Sequence, residues 1–308
     1  MLACPIPDLE QHHLARDVQG APLVLISVTK SQTRTQATPL KLEHLTVQHD
    51  VECRVSDVNG VVREGRYTVV ACIDADRVLQ AYFLRIMGTL IIGLGPTPAQ
   101  SDVTRAVYRL AELFRVLASA PTKSVQGLWA ELFVIARATD ASVLVEAWHT
   151  TPEDRYDFNR GSQRVEVKSG SGRMRIHQFS LEQLHPPMGT TALIASLFVE
   201  KAGAGTSLAE LLDQVRHRVG NNLDLLMQVD KVVGMTLGSS WRHAMDERFD
   251  YELARHSLAF YDTAAVPSVH PKVPSEVSNV RFTSDLSASS PADLAQRKSA
   301  GGLFQAVL

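Results

Sequence analysis

The chain has 308 residues, 45% apolar and 21% charged, which is ordinary globular material for one large domain or two small ones. Its 31 basic and 33 acidic side chains nearly cancel, so no whole-molecule field favours nucleic acid and any basic surface must be local. Three cysteines without a C-x-x-C spacing exclude a disulfide framework and a zinc cluster, and they point to a reducing cytoplasm.

The opening stretch, MLACPIPDLEQHH, has neither a basic n-region nor an apolar h-region. His12 and His13 lie there without a partner at ligand spacing and read as surface residues. From about Pro22 to Leu94 the pattern is of strands: PLVLISV, TVQHDVECRV and YTVVACI are rich in β-branched residues, and Asn59-Gly60 is a hairpin signal. The longest apolar run, TLIIGLG at Thr89–Gly95, is too short to span a bilayer, so a soluble protein without a membrane partner is expected. GPTPAQS breaks the pattern and marks a boundary near residue 100. In the next segment Val103, Val107, Leu110, Leu113, Phe114 and Leu117 recur at helical steps.

A second helix is expected over roughly Val125 to Ala138, followed by strands in SVLVEAW, RYDFN and QRVEVKSG. SLEQLH predicts a short helix and TTALIASLFVEK a strand. SLAELLDQVRHRVG opens with a capping box, Ser207 with Glu210, and stops at Gly220. A short helix follows near Leu223 to Val229, and YELARHSLAFYD and VSNVRFTSDLS are late strand candidates. From Ser287 the tail is poor in large apolar groups and reads as mobile. These signals divide the chain into a β-rich unit over 1–100, a larger domain over 101–286 and a tail over 287–308.

The segment RYDFNRGSQRVEVKSG, Arg155 to Gly170, carries the chemistry. Gly161-Ser162 suits a two-residue type II′ turn, which fixes the register: Phe158 opposes Val165 and Asp157 opposes Glu166. Strand alternation then puts Tyr156, Phe158, Val165 and Val167 on a core face, and Asp157, Glu166 and Lys168 on the solvent side. Directly opposed carboxylates repel, so the pair needs a cation or one of the two must hold a proton. A hard divalent ion such as magnesium accepts one or two carboxylates, waters and a substrate phosphate as ligands. With Lys168 two residues past Glu166, the set could hydrolyse a phosphodiester. A surface ladder of Glu and Lys is the plain alternative.

D-x8-E-x-K on a hairpin, preceded by a helix with a glutamate (QGLWAELFVIARA), resembles the PD-(D/E)XK nuclease superfamily. The order GLWAELFVI, EAWH, DRYDF, VEVKSG and HQFSLEQL is similar to an uncharacterised bacterial branch found in restriction-modification and phage-defence gene clusters. The resemblance is strongest from Ser124 to Gly220. It implies an α/β (α+β) restriction-endonuclease-like fold, a mixed central sheet flanked by helices, beside the N-terminal antiparallel β unit. It also implies magnesium-dependent hydrolysis of DNA, with Mn2+ as a substitute ion. Carried over by position, Asp157, Glu166 and Glu131 would hold the metal and Lys168 would be the catalytic lysine. Gln183 would contact substrate or water. Tyr156 stands where the family often has proline, and HTTPEDRY replaces a shorter turn. A homodimer or other defence subunits are the implied partners besides DNA. Beside the motif, Arg173, Arg175 and His177 lie in a cationic run suited to a phosphate backbone.

Overall fold

PLVLIS at Pro22–Ser27 is almost wholly apolar, and a strand of that kind must be covered on both faces. The computed structural model describes residues 3–29, 38–56, 62–149, 151, 154–269, 273–274 and 276–308. Two units make it up, Met1–Ser119 and Ala120–Leu308.

In the first unit β1 (Ala3–Ile6), β2 (Leu9–Arg16), β3 (Pro22–Ser27), β4 (Leu40–Lys41), β5 (Leu45–Ser56) and β6 (Val62–Cys72) form one antiparallel sheet. Its order is β1-β2-β3-β6-β5-β4, so β3 is interior. Leu23 and Leu25 join Ala3, Ala15, Cys53 and Val55 in a core cluster, while Val24 and Ile26 are buried on the alternate face. The Asn59-Gly60 turn lies outside the described residues, but the strands on either side pair as a hairpin, Ser56 opposite Val62. His12 and His13, expected at the surface, are buried because β2 is an interior strand. The His12 ring is satisfied there: Nδ1 accepts the Ser27 N–H at 3.1 Å and Nε2 lies 2.9 Å from the Gly95 carbonyl.

The expected strand pattern stops short of Leu94. Arg77–Leu94 forms helix α1, capped by the Asp76 carboxylate, and α2 spans Gln100–Leu117. Leu79, Tyr82, Phe83, Ile86, Met87, Leu90 and Ile91 make the buried stripe of α1 at three- and four-residue steps, a period that the β-formers of TLIIGLG obscured. By length and composition alone α1 could cross a membrane, and the residues of its stripe are buried within the first unit. Phe114 of α2 meets Tyr82 and Phe83 of α1 at 6.3 Å between ring centres. With that packing α2 belongs with α1 to the first compact unit, Met1–Ser119.

The second unit begins with α3 (Val125–Arg137), α4 (Ala141–Ala147), β7 (Phe158–Arg160), β8 (Gln163–Gly170), β9 (Ile176–Ser180), α5 (Leu181–Leu184) and β10 (Thr191–Phe198). It continues with β11 (Lys201–Ser207), α6 (Leu208–Val219), α7 (Leu223–Leu237), α8 (Trp241–Ala244), β12 (Arg248–Phe249), α9 (Tyr251–Ser257) and β13 (Ala259–Asp262). β14 (Arg281–Asp285), α10 (Leu294–Ser299) and α11 (Gly302–Val307) complete it. The central sheet runs β13-β10-β8-β7, with β8 and β10 parallel and the outer pairings antiparallel. This is the mixed sheet expected. Two small antiparallel pairs, β11-β12 and β14-β9, accompany it.

SVLVEAW and YELARHS are helical rather than extended, because Asp140 and Asp250 cap them with their carboxylates and so favour helix initiation. The tail is also ordered at its end. Leu303, Phe304, Ala306 and Val307 of α11 are buried against α4, and Gln163 accepts the Phe304 N–H at 3.2 Å. The composition of the Ser287 stretch concealed this apolar LFQAV segment.

The Gly161-Ser162 turn forms with the expected register, Phe158 opposite Val165 and Arg160 opposite Gln163. Gly161 takes φ 53, the sign a type II′ turn requires of its first central residue. A Cβ there would meet nothing within 4 Å, so the cost of Gly161→Ala is backbone strain alone. It should lower stability by about 1–2 kcal/mol, read from denaturant unfolding.

Candidate functional site

Three segments converge on one buried polar cluster. Ser124 caps α3, its Oγ accepting the Gly127 N–H at 3.1 Å, and Glu131 lies farther along that helix among buried Leu128, Trp129, Leu132 and Ile135. His149 follows α4 and donates its backbone N–H to the Asp157 carbonyl at 2.8 Å. Asp157 comes just before β7, and its Oδ2 accepts the Val167 N–H at 2.8 Å, so the carboxylate is clamped to the motif strand. One potential ligand atom each from Glu131, His149 and Asp157 lie within 4.8 Å of one another. The Lys123 ammonium reaches all three, 2.9 Å from Glu131 Oε1, 2.9 Å from Asp157 Oδ1 and 3.2 Å from His149 Nε2.

Glu166 and Lys168 sit next to this cluster on β8. Lys168 Nζ is 2.7 Å from Glu166 Oε1 and 3.3 Å from Gln183 Oε1, and it lies 5.2 Å above the centre of the Phe179 ring. Gln183 donates to Glu166 Oε1 at 2.6 Å and to the Arg155 carbonyl at 2.9 Å. The acids do not lie on the solvent side of the hairpin, because Asp157 and Glu166 are only 6% and 5% exposed. Glu166 and Lys168 are in register with Ile194 and Ser196 of β10. Ile194 belongs to a cluster with Phe179, Leu184, Tyr261, Val266 and Leu286, which covers the face a lone hairpin would leave open.

The expected metal set was Asp157, Glu166 and Glu131. Asp157 and Glu131 do come together, but with His149, whereas Glu166 is engaged by Lys168 and Gln183. Arg173 is exposed, at φ 58. Arg175 and His177 depart from their expected place at a substrate surface. Arg175 donates to the Ser196 carbonyl at 2.8 Å and to the Ser257 carbonyl, and it stacks over Phe198 and Tyr261. His177 is buried with Nε2 2.8 Å from Ser196 Oγ, and burial, with Lys168 and Arg175 nearby, lowers it to about 4. β9 pairs with β14, which turns both side chains inward.

The buried carboxylates are pushed in opposite directions. Burial raises Asp157 to about 6, helped by the Glu131 charge, against the pull of Lys123. Burial likewise raises Glu166 to about 7, with Asp157 adding repulsion and Lys168 opposing it. In Glu131 burial is outweighed by His149, Lys123 and the Trp148 indole, and the group falls to about 2. Lys123 is held charged: burial works against it, but Asp157 and Glu131 more than compensate.

Trp148 donates its indole N–H to Glu131 Oε2 at 2.7 Å in a fully buried contact. Trp148→Phe removes this bond, leaving His149 Nε2 at 3.2 Å as that oxygen's neighbour, and should cost about 2 kcal/mol in denaturant unfolding, the scale of a hydrogen bond to a charged group.

Two carboxylates and an imidazole form a donor set that fits a divalent ion. The oxygens suit magnesium or manganese, and the nitrogen extends the set toward softer first-row metals. A family model described as "Putative PD-(D/E)XK family member, (DUF4420)" matches residues 6–287. The chain belongs to this family. Neither a curated protein nor a solved structure matches it. Membership of the PD-(D/E)XK family accords with the restriction-endonuclease-like mixed sheet and its flanking helices. The family generally binds a divalent metal, and Glu131, His149 and Asp157 form a buried group able to hold one.

Lys123, Trp148 and His149 escaped the sequence reading. Lys123 immediately precedes the N-cap Ser124, and its lone charge in an exposed connector carries no pattern. EAWH was legible as a landmark, but nothing in it distinguishes a ligand histidine from a packed one.

Proposed function

We propose that the protein is a metal-dependent endonuclease that hydrolyses DNA phosphodiester bonds, using magnesium or, in its place, manganese. Its setting would be the cytoplasm, in a bacterial restriction or anti-phage defence system. The observation that carries this reading is the meeting of Glu131, Asp157, Glu166 and Lys168 in one buried polar cluster of a PD-(D/E)XK family member. A divalent ion held by Glu131, Asp157 and His149, with Glu166 beside it, would activate water and neutralise phosphate charge.

The chain's own groups divide the remaining work. Glu166, raised to about 7, is poised to take the proton of the attacking water near neutral pH. As the water oxygen bonds to phosphorus and the bond to the departing sugar oxygen breaks, the Lys168 ammonium supports the charge gathering on the phosphoryl oxygens. Gln183 holds Glu166 and Lys168 together and thereby orients both. Arg155 and Arg173, both exposed, are available to follow the phosphate backbone. Cutting both strands calls for two such sites, and hence a homodimer or a partner subunit.

A second reading is a DNA-binding or assembly subunit that keeps the fold without cutting. It is favoured by the Lys123 ammonium, which already compensates Glu131 and Asp157 without a metal. Supercoiled plasmid incubated with the purified protein decides between the two. Nicking that needs Mg2+ or Mn2+ and stops with chelator supports the enzyme. Binding to DNA without nicking supports the subunit.

A further inference from the structure

We infer that Lys123 is a built-in occupant of the metal position, and that an entering divalent ion must expel its ammonium before Glu131, His149 and Asp157 can all act as ligands. This rests on the metal site of the proposed function and adds to it a device that gates the ion.

The geometry is that of competition for one point. Nζ stands 2.9 Å, 2.9 Å and 3.2 Å from the three potential ligand atoms, which are themselves within 4.8 Å of one another. A divalent ion bound to the same atoms, at about 2.0–2.2 Å from each, takes the place the ammonium now fills. Two cations cannot share it. His149 fits the same logic. Its Nε2 cannot both donate to Glu131 Oε2 at 3.2 Å and accept from Lys123 at 3.2 Å. In either arrangement Lys123 Nζ stands where an ion would have to approach that nitrogen.

Lys123 also has a way out. Its side chain is 37% exposed while Glu131 and Asp157 are nearly enclosed, so it enters the cluster from the surface. Thr122 fixes the adjoining backbone, donating its N–H to the Thr236 carbonyl and its hydroxyl to the Met235 carbonyl, both at 3.0 Å. The side chain alone can therefore swing, leaving the ligand-bearing elements in place. In the resting chain it acts as a counter-ion that keeps two buried carboxylates compatible, and a metal takes over that duty.

Two measurements test this without reference to cleavage. Mn2+ binding is measured by calorimetry for the parent and for Lys123→Met, which keeps the bulk and removes the charge. The variant should bind about tenfold more tightly, the gain expected when a conformer populated to a tenth becomes the only one. In the parent, Mn2+ should speed acylation of Lys123 relative to exposed Lys298, as read by peptide mass spectrometry. Equal or weaker Mn2+ affinity in a folded Lys123→Met protein overturns the inference while leaving the metal site intact. If that variant does not fold, the acylation result on the parent decides, and an unchanged Lys123 rate overturns the inference. Absence of Mn2+ binding in both proteins removes the proposed metal site itself and this device with it.

Discussion

Lys168→Ala should lower the rate of DNA hydrolysis by about 10²–10³-fold, the usual loss when one preorganised donor to developing charge is removed. The ammonium is placed for that work by its surroundings. Glu166 anchors it at 2.7 Å, Gln183 accepts from it at 3.3 Å, and the Phe179 ring lies beneath it at 5.2 Å. Its side chain is only 18% exposed, so water screens its charge less than it would at the surface. The loss should fall on kcat, since the interaction strengthens as charge develops. Mn2+ affinity measured in parallel separates a charge-stabilising lysine from one that merely holds Glu166. An alanine variant that binds Mn2+ like the parent and cuts plasmid at the parental rate would remove Lys168 from the chemistry.

Glu166→Gln should stabilise the metal-free protein at pH 8 by about 3 kcal/mol and leave it nearly unchanged at pH 4.5. Glu166 titrates near its ordinary 4.5 in the unfolded chain and at about 7 in the folded one, chiefly through burial and then through the Asp157 charge. Between those values the native state holds a proton that the unfolded state releases. Stability from this group is therefore present below about pH 4.5 and is lost as pH rises through 7. Glutamine mimics the protonated acid, so the variant escapes the loss. Asp157, raised from 3.8 to about 6, bends the parent's curve in the same direction, whereas His177, lowered from 6.5 to about 4, bends it the other way. Comparing parent with variant cancels the His177 background. Asp157 instead interacts with Glu166, so its own rise is relieved in the variant and adds to the difference in the same direction. Denaturant unfolding in chelator at several pH values reads the difference. Saturating Mn2+ should reverse its sign at pH 8, because a cation held beside Glu166 favours its ionised form, which glutamine cannot supply. A stability difference that does not change with pH would mean that Glu166 is not held protonated by its burial.

The hairpin was legible because its determinants are local. A glycine that accepts positive φ and a serine after it set the register of β7 against β8, and alternation then put Glu166 and Lys168 on one face. The same holds for the capping box of α6, Ser207 with Glu210, and the stop at Gly220. Helices α1 and α4 were misread for a related reason. Val, Ile and Leu in short runs suit a strand as well as a buried helix, and only their capping carboxylates, Asp76 and Asp140, favour the helix.

Residue order along the chain therefore specified the D-x8-E-x-K pair and the family to which its surroundings belong. It did not specify how dry that pair would be. Burial of Glu166 goes with β9, β14 and α5 closing over its face of β8, β14 pairing with β9 from about a hundred residues away, whereas Asp157 is enclosed with Lys123, Glu131 and His149. Nor did it specify the company that Glu131 and Asp157 keep. Lys123 and His149 reach them from the connectors that flank α3 and α4, and such encounters follow from how helices pack on a sheet, not from any spacing in the chain. Local turn chemistry acts over a few bonds, whereas desolvation and ligand grouping arise only when distant segments exclude water together.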